Sequence, residues 1–257
     1  MTTEAPARDW LLVSEQFLSH QGEGPSTGRL AKFLRLGGCN QACHWCDTPY
    51  SWVYDDRHVA LHDSGKKYNP AEELKRHQIG EITEWLATPP FAPLCVITGG
   101  EPMLQRDQLE RMISAANEEL NYRFEIETAG TIHPGPLLLF QNVDYNVSPK
   151  LASSGNPYKL RYQPEVLRAF AESWATFKFV VDTRKGMTAE VRDDISEIRR
   201  IIRDCEIPPR NVWLMPCGTI SREVVDGMRV LAPVAAESGW NVSTRLHILA
   251  YENQRGI

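Results

Sequence analysis

The chain has 257 residues, 42% of them hydrophobic, with 28 Lys and Arg against 33 Asp and Glu and a formal net charge of −5. That hydrophobic share fills one substantial core, and an α/β barrel of this length can be one domain, so a single domain over 1–257 is expected. No long basic run favours nucleic acid as a direct partner, no apolar stretch reaches membrane-spanning length, and "MTTEAPARDW" lacks the apolar core of a signal peptide, so a soluble, cytoplasmic protein is expected.

In chain order, "LAKFLRLG" (30–37) reads as a first strand. The stretch 54–70 is polar and unpatterned and reads as a surface insertion, and "GEITEWLA" (80–87) as a short helix. "LCVIT" (94–98) is a buried strand, and 104–120 places Leu109, Met112, Ile113, Ala116 and Leu120 at helical spacing. Strands follow at 122–128, 143–147 and 175–181, then a helix near 188–203 with Ile195, Ile198, Ile201 and Ile202 on one side. A strand at 212–216 and a helix at 221–238 complete the pattern. Strand–helix alternation predicts a mostly parallel α/β sheet with right-handed crossovers. About six strands is fewer than a closed eight-stranded barrel requires.

Three of the six cysteines, Cys39, Cys43 and Cys46, fall in "GCNQACHWCDT" (38–48) with C-x3-C-x2-C spacing. A reducing compartment turns clustered thiols towards metal binding or catalysis. Structural zinc takes four ligands and a disulfide framework an even number. Three thiols suit a four-iron cluster that leaves one iron open to a small molecule. The loop follows the first strand, at the sheet edge where α/β active sites lie. On spacing alone, a zinc site completed by His44 or Asp47 and plain buried thiols also stand. Cys95 reads as core, and Cys205 and Cys217 lie far off in sequence, Cys217 just after a strand end.

The cysteine spacing after a first strand resembles the signature of the radical S-adenosylmethionine (SAM) superfamily. The resemblance implies a partial (β/α)6 barrel, a [4Fe–4S] cluster on Cys39, Cys43 and Cys46, and SAM chelated at the open iron. The cluster would cleave SAM to a 5′-deoxyadenosyl radical that takes hydrogen from substrate. "TGGEP" (98–102) resembles the superfamily's second motif, in which Gly99, Gly100 and Glu101 would meet the SAM amino group; an ordinary strand-to-helix turn is the plainer reading. "FLSHQGEGPSTGRLAKFLRLGGCN" (17–40), "EIETAGT" (125–131), "NVSPK" (146–150) and "RLHILAYENQRGI" (245–257) narrow the resemblance to the 7-carboxy-7-deazaguanine synthase family.

That family contracts the ring of 6-carboxy-5,6,7,8-tetrahydropterin with loss of ammonia. Carried onto this sequence, Trp45, Cys46 and Asp47 flank SAM, and Ser148, Pro149 and Lys150 bind it further. Thr48 would help hold Mg2+, an ion that takes oxygen ligands; otherwise it caps the turn before Pro49. His20, Gln21 and Gly22 would line the pterin, with Thr98 and His247 as further contacts. Arg35 alternates with apolar neighbours in its strand and needs a partner, either the substrate carboxylate or a structural ion pair. Glu127 could accept from substrate N–H groups or move a proton. The terminal carboxylate of Ile257 would meet the pterin's donor edge. An electron donor such as flavodoxin or ferredoxin, and a homodimer, complete what the family implies. A radical SAM activase for a glycyl-radical partner and a non-catalytic zinc-stabilised module are the competing readings; the first does not explain "HQGEG" or Arg35, and the second predicts colourless protein with no SAM affinity.

Overall fold

The computed structural model describes residues 8–257, so the signal-peptide reading of residues 1–7 lies outside the described residues. The chain opens with an antiparallel pair, β1 (Trp10–His20) and β2 (Leu30–Leu36). After the cysteine loop come α1 (Asp56–Leu61), α2 (Pro70–Glu73) and β3 (Lys75–Gln78), which pairs antiparallel with β1. Strands and helices then alternate: α3 (Ile79–Ala87), β4 (Leu94–Gly99), α4 (Arg106–Glu119), β5 (Arg123–Thr128) and β6 (Val143–Val147). There follow α5 (Tyr158–Arg161), α6 (Pro164–Glu172), β7 (Thr176–Val181), α7 (Ala189–Asp204), β8 (Val212–Pro216), α8 (Ser221–Ser238), β9 (Asn241–Val242) and α9 (Leu246–Tyr251).

Among the described residues the strands form one sheet in the order β3-β1-β2-β4-β5-β6-β7-β8-β9. Strands β2, β4, β5, β6, β7 and β8 run parallel in sequence order and are the six expected. The sequence reading did not include β1, β3 or β9, nor the helices α1, α2, α5, α6 and α9. β1 carries a register irregularity between Val13 and Glu15, which breaks the alternation that marks a strand. β3 is "KRHQ", four polar residues held by pairing with β1 and not by any hydrophobic pattern.

Alternation sorts the strand side chains onto two faces. Leu34, Leu36, Cys95, Ile97, Phe124, Ile126, Val147, Phe177, Phe179, Val181 and Leu214 belong to one buried apolar cluster that includes the helix faces. In α7 these are Val191, Ile195, Ile198 and Ile201, and the Thr188 side chain caps the helix by accepting from the Val191 N–H. The other face carries Phe33, Arg35, Thr98, Glu127, Lys178, Val180 and Met215, and lines a cavity.

Contacts between distant strands require that face to be concave. Seven strand spacings separate β1 from β9, about 34 Å if flat. Yet the chain leaving β1 touches the chain leaving β9: Leu246 N–H donates to the Gly22 carbonyl at 2.8 Å, and Gly24 N–H to Ser243 Oγ at 2.7 Å. The sheet therefore curls into an open barrel, as the fold class anticipated.

Candidate active site

The cavity has a volume of about 530 Å³, and the elements that wall it differ in chemistry from end to end. Its rim is the C-terminal edge of the parallel strands. Cys39, Cys43 and Cys46 come from the loop after β2, Gly99 and Gly100 from the end of β4, Ser148 and Lys150 from the end of β6, and Cys217 from the end of β8. Its floor is the end of β1 and the segment after it, with His20, Gln21 and Glu23, and the start of α9, with Arg245 and His247. The last five residues, Asn253 to Ile257, close one side.

The glycine pair of "TGGEP" is explained by contact with the cysteine loop. A Cβ on Gly100 would lie 1.9 Å from the Gly38 carbonyl oxygen, and one on Gly99, whose φ is +133°, 2.2 Å from that of Leu36. Gly100 N–H donates to Leu36 O at 3.0 Å and Glu101 N–H to Gly38 O at 2.8 Å. The backbones are in contact, so side chains are excluded. Glu101 itself is wholly buried and not on the cavity wall. It accepts from Met103 N–H, Thr128 Oγ1 and Ala129 N–H at 3.0, 2.7 and 2.7 Å, which ties the end of β4 to the end of β5. Burial raises its carboxyl above the ordinary range.

All three loop thiols face the same cavity, yet no group of three or more His, Cys, Asp or Glu side chains among the described residues is placed to hold one metal ion. Burial, with Asp47 beside it, pushes Cys46 up to about 11; burial and Glu101 push Cys39 up, and burial raises Cys43 against the pull of Lys150. Such thiols ionise only if a cationic group supplies the charge, which is the environment that thiolate ligation of a multi-iron cluster provides. The fit to the cluster is geometric: three cysteines of one loop line the same cavity, and each sulfur has an N–H donor within 3.4 Å. The polar insertion braces the loop from outside: Asp63 N–H donates to His44 O at 2.9 Å, and the His62 ring Nε2 lies 2.8 Å from Cys46 O.

Trp45, Asp47 and Thr48 line the cavity, with Thr48 Oγ1 3.6 Å from Cys46 Sγ; Pro149 and Gly22 do not line it. Gly22 supports the His247 ring, which a Cβ there would strike. Arg35 donates through Nε to Glu15 at 2.7 Å and lies over the Phe17 ring. Among the described residues its two terminal nitrogens have no hydrogen-bond partner. Glu127 accepts from Thr98 Oγ1 at 2.7 Å and from Gln21 Nε2 at 3.3 Å, and Lys178 Nζ stands 3.5 Å away.

Several charged residues missed by the sequence reading organise the floor. Lys178 pairs with Glu23, and Arg245 reaches from Glu23 on the floor to Asp47 and the Gly218 carbonyl at the rim. Burial works against the charge on Glu23, but Lys178 and Arg245 outweigh it and hold that carboxyl well below its usual range. Asp47 is likewise depressed: Arg245 overcomes burial. Burial lowers His247, and Arg245 donates to its Nε2 at 3.4 Å, which leaves the neutral ring's proton on Nδ1. Glu15, also missed, takes Arg255 at 2.6 Å; Arg255 reaches Glu73 at 2.7 Å and stacks over Tyr50, and so pins the tail. The signal for Lys178 was a charge inside an apolar strand, "FKFVV".

The family described as the radical SAM superfamily matches residues 34–172. A 7-carboxy-7-deazaguanine synthase of Pyrobaculum aerophilum is 35% identical over 246 residues, 95% of this chain and 96% of that protein. One from Rhodopirellula baltica is 32% identical over 260 residues, 96% of this chain and 88% of the relative. The crystal structure of QueE from Escherichia coli shares the fold, with a TM-score of 0.63, 22% identity and 92% and 94% of the two chains covered. With a glycine-seated cysteine loop at the rim of an open parallel barrel, and relatives alike along nearly the whole length, the chain belongs to the 7-carboxy-7-deazaguanine synthase family of radical SAM enzymes.

Proposed function

We propose that this chain, as one catalytic domain, converts 6-carboxy-5,6,7,8-tetrahydropterin to 7-carboxy-7-deazaguanine and ammonia, in 7-deazapurine biosynthesis of the queuosine type. The observation that carries the reading is a single cavity with three unactivated thiols at its rim and a hydrogen-bonded carboxylate and amide floor. Cys39, Cys43 and Cys46 would hold a [4Fe–4S] cluster. When bound, cluster and SAM supply the radical that removes a hydrogen atom from substrate.

The protein's own groups would bind and orient. The bare backbone at Gly99 and Gly100, with Trp45, Asp47, Ser148 and Lys150, would flank SAM. Glu101 acts from behind, fixing the turn that carries those glycines. The Arg35 fork, held flat by Glu15 and Phe17, would take the substrate carboxylate through its two terminal nitrogens. Gln21, Thr98 and Glu127 present acceptors and donors to a pterin edge, and Glu127 is the carboxylate we assign to proton movement. Ile257 is on the cavity wall, and its terminal carboxylate would be an acceptor suited to an amidine-like N–H pair. Mg2+ at Thr48, a one-electron donor protein and a homodimer belong to the same reading. A fall in turnover on chelating magnesium, blunted in Thr48→Val, is the measurement for the ion.

Alanine at any one of the three cysteines is expected to remove most of the brown chromophore and all reductive SAM cleavage. Full cluster content in all three single variants would overturn the assignment.

A further inference from the structure

Each cysteine of the loop has its own N–H donor. Gln41 N–H points at Cys39 Sγ (3.4 Å), Asn156 Nδ2 at Cys43 Sγ (3.2 Å) and Trp52 Nε1 at Cys46 Sγ (3.3 Å). The first belongs to the loop backbone. The other two are side chains brought in from elsewhere, Trp52 from the turn after the loop and Asn156 from the segment between β6 and α5. Both are buried, Trp52 at 3% and Asn156 at 7% exposure.

Their surroundings aim them. The Trp52 indole meets the rings of His58 and His62 edge-on at 5.4 and 5.9 Å, and His62 also contacts the Cys46 carbonyl. Among the described residues the indole N–H has no acceptor other than Cys46 Sγ. Asn156 is fixed through its other end: Oδ1 accepts from Ala42 N–H at 2.7 Å, and Nδ2 is shared with Ser154 Oγ at 3.1 Å. A neutral thiol is a weak acceptor, whereas a sulfur bound to iron carries anionic charge and accepts well.

We propose that Trp52 and Asn156 set the reduction potential of the cluster by donating N–H···S hydrogen bonds to Cys46 and Cys43. The proposal rests on the cluster reading above. Hydrogen bonds to cluster sulfurs are a principal determinant of potential. The positive end of each N–H stabilises the more negative, reduced cluster over the oxidised one, so each donor raises the potential. The 54–70 insertion thereby gains a role: its histidines hold the Trp52 ring in place. Trp52 and Asn156 are positioning residues, since each acts on the cluster through a cysteine sulfur.

The test is a potentiometric titration followed by electron paramagnetic resonance, with iron and sulfide counted in each sample. Trp52→Phe keeps a ring and removes the N–H. Loss of one hydrogen bond is expected to lower the reduced-to-oxidised ratio at fixed potential by about three- to tenfold, or about 30 to 60 mV for a one-electron couple. Asn156→Asp keeps the acceptor for Ala42 but replaces the donor with an anionic oxygen, and a larger negative shift is expected. Wild-type protein labelled with 15N in its indoles and measured without SAM should show nitrogen hyperfine coupling to the reduced cluster, which requires no substitution. Full cluster content with unchanged potentials in both variants, or no 15N coupling in the labelled wild type, overturns the proposal. Failure of the wild type to bind a cluster overturns the reading beneath it instead.

Discussion

Gly100→Ala isolates the contact between the glycine turn and the cysteine loop. The added Cβ would stand 1.9 Å from Gly38 O, 2.5 Å from Gly38 C and 3.2 Å from Cys39 Cβ. Ordinary contact begins near 3.4 Å, so the loop backbone must retreat by about 1.5 Å. The obstacle is backbone, not a flexible side-chain tip, and it lies one residue from Cys39, the first of the proposed cluster ligands. Overpacking of this kind costs about 1–3 kcal/mol. For a chain of this size that lowers the melting temperature by about 2 to 12 °C. Displacing a positioned group by 1 Å costs on the order of a hundredfold in rate. Gly80→Ala is the control, because nothing lies within 4 Å of its added Cβ. The measurements are the melting temperature of the cluster-free protein, iron per chain after reconstitution, and SAM affinity. Gly100→Ala should fall in all three, while Gly80→Ala, inside helix α3, should keep wild-type iron content and SAM affinity and melt at or slightly above wild type. If the two variants match, the close backbone contact is not what the glycines provide.

Arg35→Lys should weaken carboxypterin binding by about ten- to a hundredfold and leave SAM affinity unchanged, because lysine lacks the planar fork. Equal weakening of both ligands would make Arg35 a structural partner of Glu15 alone. A tag fused directly to Ile257 should abolish pterin affinity with iron content and SAM binding intact, whereas the same tag at Met1 should not; equal affinities would remove the tail from the site. Glu23 and Asp47 are held below their ordinary values of 4.5 and 3.8, so on acidification the unfolded chain takes up their protons first. Their contribution is therefore present above about pH 4.5 and lost as pH falls through the lower folded values. Lys178→Met removes one of the cations that stabilise Glu23, so its urea midpoint should be lower at pH 7 and fall less between about pH 5 and pH 2, the window in which the unfolded chain is protonated and wild-type Glu23 is not; parallel loss across that window would contradict the coupling.

The parallel core was legible because its strands are short apolar runs between helices with strong periodicity. The strands at 143–147 and 212–216 and the helix at 221–238 have the boundaries read from sequence. The cysteine loop and glycine turn were legible because their spacing is local. What escaped depends on pairing between distant parts. β3 owes its form to β1, and the floor network joins Glu23, Asp47, Lys178 and Arg245 from four separate segments. Glu101 looked like a ligand to an amine, but its surroundings make it an anchor for three protein donors. The insertion looked featureless because its order comes from contacts with the cysteine loop, through His62 and Asp63, and not from its own hydrophobic pattern.

The central claim is the reaction itself, and one anaerobic incubation tests it most directly. Reconstituted protein is mixed with SAM, a one-electron reductant and 6-carboxy-5,6,7,8-tetrahydropterin, and the products are read by mass. The account predicts 7-carboxy-7-deazaguanine, formed only when all three are present. SAM cleavage with the pterin recovered unchanged would contradict it.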